Sequence, residues 1–319
     1  MLKPRIAAWM ISVAVVVFST GMASGQSYPN RLIRIITSEP GGGLDFAARV
    51  IAPGLSDRLG QQVIVDNRGR LASETAVKAP PDGYTILLNG SVHWLMPFLR
   101  DNVPWDPVKD FLPITWIAGS PNIIVVHPSL PVRSVKELIA LAKARSGEIN
   151  YSSGGIGGSN HLAGELFRAM AGVDIVHVPF KGTGPALNGL FSGEVQVMFP
   201  NAGSVMPHVK SGRLRALAIT SAQPSALAPS LPTVAASGVP GYDAEARFAV
   251  FAVAKTPGTI VKRLSQEIVA ELKRPEVTER FLNTGSVVVA SSPDELEAMV
   301  KSEMNRMGKV IKDAGIRAD

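Results

Sequence analysis

Short β-branched runs alternate with amphipathic stretches along most of this chain. The runs at Leu32–Thr37, Val63–Asp66, Tyr84–Leu88, Asn122–His127, Asn150–Ser152, Ile175–Val178, Val195–Phe199 and Leu214–Thr220 each predict a strand. Between them, helical patterns cover Asp45–Leu59, Ser134–Ala144, Asn160–Ala171, Pro185–Phe191 and Ser204–Lys210. Phe248–Ala254 predicts a further strand, and Ile260–Leu272 and Pro293–Asp313 return to helix. Ser134 and Ser292 stand where N-caps belong, and Glu137 is spaced to complete a capping box with Ser134. Pro53-Gly54 falls inside the first helical pattern and predicts a kink or break there. Alternating strands and helices imply α/β layers with mostly parallel sheets.

The tempo of the strands divides the chain into two similar lobes. One is expected over residues 26–121 together with 248–319, the other over residues 122–247. A chain that crosses twice between lobes builds a hinge, and ligands favour the cleft between such lobes.

The N-terminus adds a compartment. Lys3 and Arg5 precede an almost wholly apolar run, Ile6–Phe18, and the small residues Gly21-Met22-Ala23-Ser24-Gly25-Gln26 follow. That order predicts a secretory signal peptide over residues 1–25, with cleavage after Ala23 or Gly25 and a periplasmic mature protein. The run is about a dozen residues, short of the roughly 20 that span a bilayer. About 295 residues remain, long for one core and ample for two domains. With no Cys in the chain, disulfides, thiol chemistry and lipid attachment through cysteine are excluded. Lys plus Arg number 32 against 26 acidic residues, and the excess is scattered. Such a surface mildly favours anions and argues against nucleic acid as a partner.

Catalytic motifs are missing: there is no G-x-S-x-G, no P-loop, no H-E-x-x-H and no complete G-x-G-x-x-G. The five histidines, at 93, 127, 161, 177 and 208, have no metal-ligand spacing and read as structural. No metal or cofactor is expected. What remains are glycine-rich strand-to-helix turns. One is Pro40–Asp45, with Gly42 and Gly43. The second is Ser152–His161, with Ser153, Gly157, Ser159 and Asn160. Each turn exposes unpaired amides at a helix start, where the helix dipole adds partial positive charge, and together they make an anion site without a basic side chain. A third turn, His177–Ala186, brings Lys181, Gly182 and Thr183 after another strand, with Pro185 in a favourable first-turn position. Taken singly, such turns also serve merely to join strand to helix.

Longer motifs carry a resemblance. P-G-G-G-x-D-x-x-A-R stands at Pro40–Arg49, K-A-x-P-D-G-Y-T at Lys78–Thr85 and W-D-P-x-x-D-F at Trp105–Phe111. N-Y-x-S-x-G-x-G-x-S-x-H-L-A-G-E-L-F follows at Asn150–Phe167 and H-V-P-F-K-G-x-G-P-A at His177–Ala186. G-R-L-R-A-L-A-I-T-S (Gly212–Ser221) and L-P-T-V-A-A-S-G-V-P-G-Y (Leu231–Tyr242) complete the set. The whole mature chain resembles the Bug family, the periplasmic binding proteins of tripartite tricarboxylate transporters. The resemblance implies a Venus-flytrap fold, two α/β lobes with a mixed sheet in each and a ligand cleft between them. It implies a small organic acid as ligand, no metal or cofactor, the membrane components of a tripartite transporter as partners, and a monomer. Matching positions for the ligand site are Gly42, Gly43 and Asp45 in the first lobe, and Ser153, Gly157, Ser159, Asn160, His161, Lys181, Gly182 and Thr183 in the second.

Departures from the family pattern bear on the ligand. Asp66-Asn67-Arg68 runs into Gly69-Arg70-Leu71-Ala72-Ser73, where the family has a longer glycine-rich loop. Glu39 replaces a small or apolar residue, Pro200 stands where Asp is frequent, and Arg247 where an aromatic is common. Glu39, Arg70 and Arg247 therefore define an atypical pocket. Glu39 is expected to pair with Arg247, Arg70 or a ligand amine, and the ligand to be a zwitterionic or less charged acid. A periplasmic subunit presenting ligand to a sensor, and an enzyme on the same architecture, are the alternative functions.

Overall fold

The computed structural model describes residues 28–318, so the expected signal peptide lies outside the described residues. The elements, in chain order, are β1 (Ile33–Thr37), α1 (Gly43–Leu59), β2 (Val63–Asn67), α2 (Ala72–Val77), β3 (Thr85–Gly90), α3 (Ser91–Leu99) and β4 (Phe111–Pro121). A second group follows: β5 (Ile123–Val126), α4 (Val135–Ala144), β6 (Asn150–Ser153), α5 (Ser159–Ala171), β7 (Val176–Pro179), α6 (Thr183–Phe191), β8 (Val197–Met198), α7 (Ala202–Lys210) and β9 (Arg215–Ile219). The last group is β10 (Glu245–Val253), α8 (Gly258–Leu272), α9 (Pro275–Asn283), β11 (Val287–Val288) and α10 (Pro293–Asp313).

Two sheets form, one per lobe. The first has six strands in the order β11-β4-β10-β3-β1-β2, and the second has five in the order β7-β6-β8-β5-β9. In the first, β1 pairs parallel with β2 and β3, whereas β10 lies antiparallel between β3 and β4. In the second, β6 pairs parallel with β7 and β8, and β5 antiparallel with β8 and β9. Both sheets are thus mixed, as the family resemblance implies, whereas the alternation alone points to mostly parallel layers. The returning strand β10 accounts for the difference in the first lobe. It starts at Glu245 rather than Phe248 and fills a slot between strands already laid down.

The first sheet buries Ile33, Ile35 and Leu88 on the face covered by Ala48, Ile51 and Leu55 of α1 and by Leu264 and Ile268 of α8. On its opposite face, Ile36, Leu87 and Phe251 join a cluster with Trp94 and Leu95 of α3 that continues through Leu162 and Phe167 of the second lobe. Pro53 does not break α1, which runs unbroken through it. A side chain at Gly54 would sit about 2 Å from the Glu271 carboxylate of α8, so Gly54 serves close helix packing.

Strand β4 had no expectation in the sequence, because Pro113 and Gly119 interrupt its apolar pattern. Pro113 is accommodated where the β4–β10 register shifts between Val250 and Phe251, an irregularity that spares a missing donor. Helices α2, α3 and α9 were likewise not foreseen.

The chain passes from one sheet to the other at Asn122 and returns between Thr220 and Glu245. The two crossings are bonded side by side: Asn122 N donates to Thr220 Oγ1 (2.8 Å), Thr220 Oγ1 to Asn122 O (2.8 Å), and Ala244 N to Thr220 O (2.9 Å). Helix α10 packs on β4, α3 and α5, and so touches both lobes. Its start carries the full capping box, with Ser292 Oγ accepting from Glu295 N and Glu295 Oε2 accepting from Ser292 N. At α4 only half of the expected box forms. Ser134 Oγ accepts from Glu137 N, but the Glu137 carboxylate is taken by Arg133 N.

Candidate ligand cleft between the lobes

Each glycine-rich turn is organised from within by one polar side chain. In the first, Gly41 takes φ +81°, open to glycine at little cost, and its N–H donates to Asp45 Oδ2 (2.9 Å). Asp45 also accepts from Arg49 Nε (2.9 Å) and Asn67 Nδ2 (2.9 Å). The Arg49 hydrogen bond holds this carboxyl down at about 2, well below the ordinary range. Asp45 thereby fixes the turn, and it is buried away from the cleft. Gly43 is needed because the Phe248 ring lies against it: an added Cβ would meet that ring at 2.9 Å.

In the second turn, Ser153 Oγ lies 2.7 Å from His177 Nε2, donates to Gly155 O (3.1 Å) and accepts from Gly155 N (3.3 Å). His161 Nδ1 accepts from Gly157 N (3.0 Å), and the His161 and His177 rings stack 4.0 Å apart. Burial, and then the neighbouring His177, push His161 down to about 4; burial lowers His177 as well. Both rings are therefore neutral struts. Tyr151 stacks on His177 and donates to Glu165 Oε1 (2.7 Å), whose other oxygen receives Arg168 (2.7 Å). The third turn is zipped to the second: Phe180 N donates to Ser153 O (2.9 Å) and Gly182 N to Gly154 O (3.0 Å). A Cβ at Gly154 would lie 2.8 Å from Thr183 N, so only glycine allows this approach.

These turns form one wall of a cleft of about 820 Å³. Gly154, Gly155, Ile156, Gly157, Gly158 and Asn160 line it, joined by Gly182 and Thr183 at the start of α6. Asn160 is only 6% exposed, and its side-chain amide makes no hydrogen bond among the described residues. The facing wall belongs to the first lobe: Ser38, Glu39 and Leu44 of the first turn, Arg70, Leu71 and Ser73 at α2, then Asn89, His93, Met96 and Trp105. Ala318 reaches the cleft as well, held by its N–H on Leu99 O (2.8 Å).

The structure thus brings Gly157, Asn160, Gly182, Thr183, Glu39 and Arg70 together on the cleft. Ser153 and His161 lie directly behind its wall, and Ser159 is turned to the hinge, where its carbonyl accepts from Asn122 Nδ2 (3.2 Å). Gly42, Gly43, Asp45 and Lys181 are not among the lining residues, although Leu44 beside them is. Of the partners expected for Glu39, the two arginines are corrected. Among the described residues, neither Glu39 nor Arg70 forms an ion pair, and Glu39 lies over the backbone of Gly69, whose Cβ would meet it at 2.5 Å. Arg247 is buried elsewhere. Its guanidinium meets Asp243 (2.8 Å), Glu303 (3.1 Å) and Glu245 (3.7 Å), and Asp243 also receives Arg306 (3.1 Å). Arg247 lies on β10 and Glu303 on α10, so this charged knot ties the returning strand to the helix that touches both lobes.

Ser73, Asn89, His93 and Trp105 were not foreseen as lining residues. The spacing of a lone His gives no signal. Only the placement of α3 over the first sheet brings it to the cleft.

Comparison with known proteins agrees with this architecture. Residues 47–316 match the sequence profile of the tripartite tricarboxylate transporter family receptor, TctC. BugT of Bordetella pertussis is 35% identical over 315 residues, covering 96% of this chain and 97% of its own. The structure of Rpa4515 of R. palustris with adipate superposes with a TM-score of 0.77 at 35% identity, covering 91% of this chain and 99% of the other. MatC from Rhodopseudomonas palustris with bound malate superposes at 0.74 with 26% identity, covering 89% and 100%. With two mixed-sheet lobes, a cleft between them and matches along nearly its whole length, the chain belongs to the TctC family of tripartite tricarboxylate transporter receptors.

Proposed function

We propose that this protein is an exported solute-binding protein that captures a small organic carboxylate in the interlobe cleft and delivers it to the membrane components of a tripartite transporter. The observation that carries the reading is the second-lobe wall. There the glycine-rich start of α5, the start of α6 and the unclaimed Asn160 amide converge on one side of the cleft. Backbone amides at two helix starts favour an anion through their free donors and the helix dipoles, and Thr183 adds a hydroxyl. The adipate and malate held by two relatives are the ligand chemistry such a wall suits. In this reading the donors are Asn160 and Thr183 at the two helix starts, while Gly157 and Gly182, whose own N–H groups are held by His161 and Gly154, let the ligand approach the wall. Ser153, Ser159 and His161 support them, and Gly42, Gly43, Asp45 and Lys181 shape the surrounding turns.

The lobes are assigned as residues 26–121 with 248–319, and 122–247, hinged at Asn122 and at the Thr220–Ala244 return. Closure follows ligand because a buried carboxylate is costly until donors from the second lobe reach it, and the ligand's preference for the closed form shifts the population. The apolar run after Lys3 and Arg5 supports export to the periplasm, and no helix among the described residues is long and apolar enough to cross a membrane. The molecule acts as a monomeric carrier and performs no turnover.

Thermal unfolding of the mature protein against dicarboxylates, citrate, aromatic acids, amino acids and uncharged analogues tests this. An acid at about 100 times its dissociation constant stabilises by about 2.7 kcal/mol. A clear upward shift is expected with at least one acid and none with its amide. No shift with any acid, for folded protein free of copurified ligand, overturns the reading.

A further inference from the structure

Two carboxylates line the cleft, and they differ in whether a cation holds them. Glu74 takes Lys78 (2.7 Å). The Glu39 side chain has neither a hydrogen bond nor an ion pair among the described residues. Its carboxylate is nevertheless seated. Gly69 takes φ +58°, and a Cβ there would meet Glu39 Oε1 at 2.5 Å, so the carboxylate fills the space that a side chain at 69 would need. Gly69 itself lines the cleft, which puts this charge on the cleft surface. Other arginines around the turn are committed to other acids: Arg49 to Asp45 (2.9 Å), and Arg68 and Arg34 to Asp66 (2.8 and 3.6 Å). Arg70 and Arg100 also line the cleft without an ion pair, and both are exposed. They define the competing occupant, a second carboxylate. Fixing either long side chain on a ligand costs rotamer freedom, which the carboxylate packed against Gly69 has largely given up.

We infer that Glu39 is a cation-receiving subsite, and that the cleft takes an acid with an ammonium at its far end, an ω-amino acid rather than an α-amino acid. This rests on the carboxylate reading of the opposite wall. Glu39 belongs to the first-lobe wall and the Asn160 and Thr183 donors to the second, and Leu44, Leu71, Met96 and Ile156 line the same cleft. An α-amino acid carries both charges on one carbon and presents them to one spot. A chain of methylenes separates them, so that each end meets its own wall and the body meets the apolar lining. In the open cleft Glu39 is exposed, and an ion pair there is worth little. Closure withdraws water from the pair and strengthens it. Recognition of the ammonium is therefore coupled to closure, and an acid without one closes the lobes less firmly.

Equilibrium binding to the whole mature protein tests the inference with length-matched sets: hexanoate, 6-aminohexanoate, 2-aminohexanoate and adipate, with the corresponding butyrate and octanoate sets. At the best-fitting length, the ω-amino acid is expected to bind about tenfold tighter than the unsubstituted acid, the worth of one charge-assisted hydrogen bond. It is also expected to bind tighter than its 2-amino isomer and than the dicarboxylate. Glu39→Gln, at an exposed position with no partner to lose, is expected to bring the ratio of ω-amino to unsubstituted affinity to about one. Equal affinities across every set, or a dicarboxylate or 2-amino isomer that binds tightest, overturn the inference and leave carboxylate capture standing. An unchanged ratio in a folded Glu39→Gln protein overturns it as well. Failure of every acid in every set overturns carboxylate capture and the subsite with it.

Discussion

At the scale of single residues, the structure spends several polar groups on shape rather than on ligand. Asp45 closes the first turn, His161 and His177 brace the second, and Arg247 locks β10 to α10. Each was visible in the sequence as chemistry, yet none declared its geometry there. Arg247 shows why: a cation near a suspected pocket looks available until its own stretch of chain presents Asp243 and Glu245 to it and the distant Glu303 packs against it. Buried histidine has a consequence that pH reveals. An unfolded chain protonates its histidines near 6.5, whereas folding holds His93 neutral down to about 3 and His161 down to about 4. Over that window the unfolded state binds more protons, so stability falls as pH drops below about 6.5, by up to about 1.4 kcal/mol per unit for each fully shifted group. The faces packed on His93 carry no charge to offset this, being Ser73, Trp105, Phe111 and Phe251. Urea denaturation followed from neutral pH into the acid range should show the midpoint descending, with a shallower slope in His93→Gln. A profile equally flat in both proteins would contradict the buried neutral ring.

At the scale of elements, most strands and the long helices were legible because apolar periodicity and caps are local. The prediction of α10 over Pro293–Asp313 matches its observed bounds, and Ser292 with Glu295 supplies the physical reason. What stayed hidden depends on partners distant in sequence. Strand β4 exists because β10 and β11 flank it, despite Pro113 and Gly119. Pro53-Gly54 looked like a break because the Glu271 carboxylate it accommodates lies on another helix. In the proposed site, binding depends most on the seam between the second and third turns. Gly154→Val would force its Cβ against Thr183 N and part the two helix starts that make up the proposed anion site. Affinity for the captured acid should fall about tenfold or more, the worth of a charge-assisted hydrogen bond. Gly184→Ala, at a position with open space around it, should leave affinity nearly unchanged. Equal affinities in the two variants would separate the seam from binding.

For the whole molecule, two mixed sheets meet at two hydrogen-bonded crossings, and α10 and the C-terminal residues reach across them. Two lobes with a cleft could be read from strand tempo and from the family motifs, because the glycine-rich turns announce themselves by composition. The cleft's far wall could not, since His93, Ser73 and Asn89 come together only once α2, β3 and α3 have packed. The account's central claim is that the cleft binds a carboxylate through the second-lobe amides. Calorimetric titration of the mature protein, using the acid that stabilises it most and then its primary amide, tests this most directly. Saturable one-to-one binding of the acid, with at least about a hundredfold weaker binding of the amide, is the predicted result. An amide that binds as tightly as the acid would show that the cleft does not read the carboxylate, and would contradict the account.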